Sequence, residues 1–100
     1  MGDDLAPPVR VKALDPDGRL ILLREEQWRH ITTEHPEMAR FERAIMETVT
    51  HPSHREGDVR PGRERFFAED RGSTTWLRVV VDFSVEPGQI VTAFGQDHGP

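Results

Sequence analysis

The sequence predicts a small single-domain α+β protein with an N-terminal β-hairpin, two short helices and then a three-stranded antiparallel sheet. Apolar residues alternate with polar ones near the start and in the last third of the chain, whereas in the middle they recur every three or four positions. The 100 residues are 35% hydrophobic and 31% charged, which is the size and balance of one globular domain. We therefore expect one domain over residues 1–100, with flexible tails at 1–8 and 95–100.

The predicted hairpin occupies residues 9–13 and 20–23. The first segment alternates apolar with basic side chains, and the second is a short apolar run. Between them lies Asp15-Pro16-Asp17-Gly18, in which proline fixes φ and glycine accepts a positive φ. Such a tetrapeptide predicts a turn that joins two antiparallel strands.

Two helices are predicted between residue 25 and Pro52. The first begins with Glu25 and Glu26, which complement the helix dipole, and ends near His35 because Pro36 follows. The second begins at Glu37 and ends before Pro52. Its apolar side chains recur at three- and four-residue steps, as in an amphipathic helix: Met38, Phe41, Ile45 and Val49.

The last third of the chain predicts a loop over residues 53–62 and then strands at 63–69, 75–83 and 89–94. In the middle strand Leu77, Val79 and Val81 share one face with Thr75 and Phe83. That face and the apolar stripe of the second helix each need a partner, so we expect them to pack against each other.

Composition excludes several classes of function. The chain has no cysteine, so it has no disulfide, thiol nucleophile or thiolate metal site, and we expect an intracellular, cytoplasmic protein. Its apolar runs are too short to span a bilayer, so no membrane role is expected. A net charge of −5 disfavours non-specific coating of duplex DNA. A local basic site is still compatible, because arginines cluster between residues 55 and 71.

Several short motifs occur in a recognisable order along the chain. They are Trp28-x-His30-Ile31-x-x-x-His35-Pro36-Glu37, Thr48-x-x-x-Pro52, Arg63-Glu64-Arg65-Phe66-Phe67, Trp76-Leu77-x-Val79-Val80-Val81 and Ile90-Val91-Thr92-Ala93-Phe94. Together they resemble the barnase, EndoU, colicin and RelE nuclease (BECR) family, especially its phage-associated branch. The element order is also similar to that of the BrnT ribonuclease toxins. The likeness covers roughly residues 20–94.

The resemblance implies an endoribonuclease-type domain with a RelE-like fold, which cleaves RNA without a metal or other cofactor. The 2′-hydroxyl of the RNA would attack the adjacent phosphate, which requires an acid, a base and positive charge. RNA is then the implied partner, together with a cognate antitoxin or immunity protein if the domain is a toxin; the oligomeric state stays open. The implied residues are His35 and His30 as acid and base, Arg63 and Arg65 as phosphate clamps, Thr92 as a hydroxyl donor, and Arg60, Trp76 and Arg78 as RNA-binding residues.

Each of these residues also has an ordinary structural interpretation. His35 at a helix C-terminus is a common cap, and exposed strand arginines such as Arg63 and Arg65 usually pair with acids such as Glu69 or Asp82. Trp76 is also typical of a side chain that covers one side of a sheet. The remaining histidines, scattered over loops and a tail, do not have the spacing of a metal site: His51, His54 and His98. The alternative function is therefore a non-catalytic protein-interaction module with the same fold.

Overall fold

The computed structural model describes residues 8–71 and 74–100, in which a six-stranded mixed sheet carries its helices on one face. The α+β class is confirmed. The elements in chain order are β1 (Val9–Leu14), β2 (Leu20–Arg24), α1 (Glu25–Glu34), a 3-10 helix (Pro36–Arg40), α2 (Glu42–Thr50), β3 (His54–Gly57), β4 (Arg63–Glu69), β5 (Trp76–Asp82) and β6 (Gly88–Gln96).

The strands lie in the order β1-β2-β6-β5-β4-β3, so the predicted hairpin and the predicted C-terminal strands form one sheet. The three predicted C-terminal strands pair antiparallel, but the sheet has six strands instead of three. Four neighbouring pairs are antiparallel, but β2 and β6 are parallel, with Ile21 opposite Gly88 and Leu22 opposite Gln89. Alternation along a strand identifies its buried face but does not identify its neighbour. The pairing across the middle of the chain therefore had no local signal.

Strand β3 is the second departure, because residues 53–62 were expected to form a loop. His54–Gly57 pairs with β4, placing His54 opposite Phe67 and Glu56 opposite Arg65. The strand carries no apolar residue, so it lacks the alternation that predicts strands. As an edge strand with charged side chains it is also protected against pairing with other chains.

The second helix begins later than the sequence predicts. Pro36–Arg40 is a 3-10 helix, in which Met38 donates to the carbonyl of His35, and Phe41 interrupts the chain before α2 starts at Glu42. Pro36 at the first helical position starts the 3-10 turn. Met38 remains fully buried despite the changed geometry, whereas Phe41 is only partly buried.

Both helices pack on one face of the sheet, where their apolar side chains belong to a single core. The predicted contact between the second helical segment and β5 is confirmed, since both contribute to this cluster. Its fully buried members include Ile31, Met38, Ile45, Val49, Phe66, Leu77, Val79 and Val81, and Phe41 and Phe83 pack at its margin. Within the described residues, no helix is sufficiently long and apolar to cross a membrane.

The β1–β2 turn is fastened to the rest of the sheet through a buried carboxylate. The Asp15 side chain is 0% exposed and accepts hydrogen bonds from the backbone nitrogens of Asp17 (3.0 Å) and Arg19 (2.8 Å) and from Arg19 Nε (2.7 Å). Arg19 also donates twice to Glu64 of β4, at 2.9 Å each, and its guanidinium carbon lies 3.6 Å from the centroid of the Phe83 ring. This cluster connects the β1–β2 hairpin to β4 and to Phe83, which directly follows β5.

The predicted tails differ in outcome. Strand β6 continues to Gln96, which is inside the segment predicted as the C-terminal tail. Beyond it, Gly99 lies against Trp76, since a Cβ built on this glycine would be 3.2 Å from the indole. The N-terminal tail prediction falls on residues 1–8, of which 1–7 lie outside the described residues.

Candidate functional site

The face of the sheet opposite the helices carries a continuous group of polar and aromatic side chains, which we call the open face. Along β5, Val79 and Val81 belong to the helix-covered core, so Arg78 and Val80 point to the other side. The pairing register adds their cross-strand neighbours to the same side. The open face is therefore defined by His54, Glu56, Arg65, Phe67, Arg78, Val80, Thr92 and Phe94.

Arg78 lies at the centre of this face, between two aromatic rings. It is opposite Phe67 on β4 and Phe94 on β6, and its guanidinium carbon is 5.6 Å and 5.4 Å from the two ring centroids. Phe67 is only 1% exposed although no helix covers it within the described part of the chain. Long arginine side chains can shield apolar surface in this way while their charged ends remain accessible.

Arg78 forms no ion pair with a carboxylate of residues 8–71 or 74–100. Among the described residues, its one hydrogen-bond partner is Gln96 Oε1 at 3.5 Å, and its buried Nε has no partner. Burial lowers the pKa of Arg78 from its usual value, and the positive charge of Arg65 acts in the same direction. An arginine nevertheless stays protonated at any physiological pH. Arg78 is therefore a half-buried cation whose guanidinium forms no ion pair in the described part of the chain.

Four other arginines of the structure are used differently. Arg10, Arg19, Arg55 and Arg65 each hold two or more carboxylates at salt-bridge distance. The contrast distinguishes Arg78 as a guanidinium available to an external anion. Anions such as phosphate match the fixed fork of arginine donors.

His35 borders the same site from the end of α1. Its backbone nitrogen donates to the Ile31 carbonyl at 2.7 Å and ends the helix, and its ring stacks on Phe94 with centroids 5.2 Å apart and planes at 27°. Helix α1 lies along the free edge of β6, where Gln27 donates to the carbonyl of Val91. His35 and Arg78 both contact the Phe94 ring, at 5.2 Å and 5.4 Å from its centroid, so this ring is a shared neighbour of the imidazole and the guanidinium.

Three of the predicted site residues, Arg65, Arg78 and Thr92, are grouped on the open face, and His35 borders them through Phe94. Thr92 is opposite Val80 and two positions before Phe94, so its hydroxyl is on the same side as the Arg78 guanidinium. A bulge between Val80 and Val81 shifts the register just beyond this pair. Bulges of this kind re-aim side chains near functional sites.

The other predicted residues lie apart from this group. His30 is exposed on α1, rotated roughly 140° from His35 around the helix. Arg60 is exposed in the β3–β4 turn. Arg63 points to the same side of β4 as Arg65 but lies at the start of the strand, opposite Asp82, whose pKa is lowered mainly by hydrogen bonds from Ser84. Trp76 is on the open side at its outer end, where it contacts Gly99. The covering role that tryptophan often has fits this position.

Sequence reasoning missed the aromatic residues on either side of Arg78. Phe67 and Phe94 share the two-residue period of Arg65 and Thr92, and that period was the available signal. His54 was considered only as a metal ligand, but it is on the open face, 5.7 Å from Phe67. Three strand spacings of about 4.8 Å separate β3 from β6, so His54 lies roughly 14 Å from Phe94 and cannot act on the same atom as His35.

In the described ranges 8–71 and 74–100, no three histidine, aspartate or glutamate side chains are grouped closely enough to hold a metal ion. A scan against protein-family models, a search of curated proteins and a search of solved structures each found no match to this chain. The geometry of the open face is therefore the basis on which a function is proposed.

Proposed function

We propose that the open face binds single-stranded RNA and cleaves it without a metal, with Arg78 holding the phosphate and His35 acting as the base. The observation that carries this proposal is the contact of both side chains with Phe94, one of them a cation with no carboxylate partner among the described residues. Aromatic rings beside arginine are also the usual means of holding unpaired bases. The resemblance of the sequence motifs to the BECR nucleases, with a RelE-like fold, points to the same activity.

The proposed reaction uses groups that the face already supplies. His35 takes the proton of the 2′-hydroxyl, the 2′ oxygen attacks phosphorus, and the bond to the 5′ oxygen breaks. The departing 5′ oxygen takes a proton from water, and the hydroxide that remains takes the proton held by His35. The products are a 2′,3′-cyclic phosphate and a 5′-hydroxyl end. Arg78 stabilises the charge that develops on the non-bridging oxygens, which is the role of positive groups in phosphoryl chemistry. Thr92 offers its hydroxyl to one of these oxygens.

The test is cleavage of a mixed RNA pool in EDTA by the parent and by two pairs of variants. We expect His35→Ala to lower the rate by about 10²–10⁴-fold, the usual contribution of a general base, while His30→Ala leaves it unchanged. Arg78→Gln should weaken binding and cleavage, whereas Arg43→Gln should not, since the Arg43 side chain is 93% exposed on α2. Cleavage that is equally fast in folded His35→Ala would exclude this role for His35.

A second candidate, a protein-interaction module, is favoured by one observation. Leu14 and Leu20 are opposite each other in the first hairpin and are 55% and 40% exposed, and Val85, 50% exposed, lines the same cleft of about 590 Å³ as Leu20. Contiguous exposed apolar side chains are typical of protein contacts. If the parent cleaves no RNA with or without added metal, this module, including the antitoxin or immunity-protein partner, becomes the leading proposal.

A further inference from the structure

Arg65 lies one row away from Arg78 on the open face, but its guanidinium is already occupied. Its Nε donates to Asp58 Oδ1 at 2.7 Å and its Nη1 donates to Glu56 Oε2 at 3.2 Å. The pKa of Asp58 is lowered most by its hydrogen bond from Arg65. The pKa of Glu56 is lowered most by its hydrogen bond from His54 and further by the one from Arg65. A phosphate that reached Arg65 would have to displace two carboxylates.

These two carboxylates are held by the β3–β4 hairpin itself. The Asp58 side chain is 11% exposed, and its Oδ2 accepts a hydrogen bond from the backbone nitrogen of Arg60 at 3.1 Å. The Asp58 backbone nitrogen donates to the Arg63 carbonyl at 2.9 Å. Glu56 belongs to β3 and accepts a further contact from His54 Nε2 at 3.1 Å. Neither carboxylate needs to reorganise to bind Arg65, so the ion pairs are preformed.

The same groups also act electrostatically on Arg78. Arg65 lowers the pKa of Arg78, while Asp58 and Glu56 raise it, so all three charges reach the central guanidinium. One arginine and two carboxylates sum to one negative charge when His54 is neutral. An RNA phosphate at Arg78 is therefore attracted by one cation, and a second phosphate beside it meets a negatively charged neighbour.

We propose that Glu56 and Asp58 restrict the open face to a single phosphodiester, bound at Arg78, by keeping Arg65 out of the site. The inference rests on the proposed RNA-binding function and adds the determinant of its specificity. The preferred substrate is then one linkage of an unpaired strand, and a duplex, whose binding gains from several neighbouring phosphates, is disfavoured. Glu56 and Asp58 are specificity-determining residues that do not contact the substrate.

The experiment measures the affinity for a short 2′-O-methyl RNA, which cannot be cleaved by this route, at several salt concentrations. One phosphate contact predicts a slope of log K against log salt near −0.7 for the parent. In the double variant Glu56→Gln/Asp58→Asn, Arg65 becomes available, so the slope should steepen to about −1.4. The affinity at low salt should rise on the order of tenfold, since one charge-assisted contact is added.

Control variants separate a local effect from a change of net charge. Glu34→Gln/Glu47→Gln removes two exposed carboxylates from the helices and should leave the slope unchanged. Adding Arg65→Gln to the double variant should restore the parental slope. In the otherwise unchanged chain, Arg65→Gln should leave the slope unchanged, because Arg65 contacts no phosphate, and this comparison does not depend on the folding of the double variant.

The outcomes distinguish this inference from the function on which it rests. If Arg65→Gln alone flattens the slope, or if the folded double variant keeps the parental slope, Arg65 is not excluded by the carboxylates and the inference is wrong. RNA binding through Arg78 would survive either result. If the parent does not bind the RNA, or if Arg78→Gln binds it equally well, the proposed function fails and the inference fails with it.

Discussion

Replacing Arg19 with methionine should destabilise the fold strongly without touching the open face. The substitution keeps an unbranched side chain over Phe83 but removes the guanidinium hydrogen bonds from Arg19 to Asp15 and Glu64. Asp15 would then be a fully buried carboxylate with two backbone hydrogen bonds and, as its nearest cation, Arg55 Nη2 at 4.0 Å. The loss of one partner from a buried ion pair costs about 3–5 kcal/mol.

The lower end of that range applies here, because the two backbone donors remain and Arg19 is itself 34% exposed. A loss of about 3 kcal/mol corresponds to a fall in Tm of roughly 12–24 °C for a domain of this size. Calorimetry or circular dichroism at neutral pH measures this shift. Arg43→Met, at a side chain that is 93% exposed, is the matched control and should leave Tm unchanged. A fall of less than about 4 °C in Arg19→Met would refute the reasoning.

Acidification provides an independent test of the same cluster. The hydrogen bond from Arg19 lowers the pKa of Glu64 below its usual 4.5. A carboxyl whose pKa is lower in the folded state stabilises the fold above the unfolded pKa, and that contribution is lost as the pH falls through the folded value. The parent should therefore lose stability below about pH 4.5, and Arg19→Met should lose less over the same interval. Parallel pH profiles would assign the acid sensitivity to other groups.

Three further predictions test the core, the sheet and the open face. Phe66→Ala should lower the free energy of unfolding by about 3–5 kcal/mol because Phe66 is 0% exposed. Phe41→Ala should lower it clearly less because Phe41 is only partly buried. Equal losses in denaturant titrations would contradict the position of Phe41 at the margin of the core. Gly88→Ala should cost about 1–3 kcal/mol, because its Cβ would lie 2.8 Å from a Phe83 ring carbon, and an unchanged Tm would show that the ring yields freely. Thr92→Val should preserve Tm and lower RNA cleavage if the hydroxyl contacts a phosphate oxygen, whereas unchanged cleavage would remove Thr92 from the site.

The elements that the sequence predicts best are those in which local pattern and burial agree. Strand β4 has the predicted bounds, and β5 differs by one residue at each end, since Leu77, Val79 and Val81 alternate with residues of the open face. The β1–β2 hairpin follows in the same way from its turn residues. The edge strand β3 could not be predicted, because its side chains are polar and its strand conformation comes from pairing with β4.

The candidate site was only partly predictable for a related reason. His35, Arg65 and Thr92 belong to the sequence motifs, and Arg78 follows Leu77 at an unspecified motif position. The strand pairing places Arg65, Arg78 and Thr92 on one side of the sheet. Which arginine keeps its charge available depends on the carboxylates that a folded chain brings to it. The ion pairs of Arg65 come from the β3–β4 hairpin, which has no sequence signal of its own. The contrast with Arg78 therefore emerges only in the folded structure.

The parallel contact between β2 and β6 has a consequence for the order in which the chain folds. Ile21 and Gly88 are opposite each other although most of the chain separates them, while every other strand pair joins neighbours in sequence or an antiparallel meander. Closing so long a loop costs entropy before any contact repays it, so local pairings form faster. During synthesis the first hairpin emerges early but must wait for β6 to gain its neighbour. Until then one edge of β2 has no neighbouring strand, and during this interval the chain is most prone to misassembly.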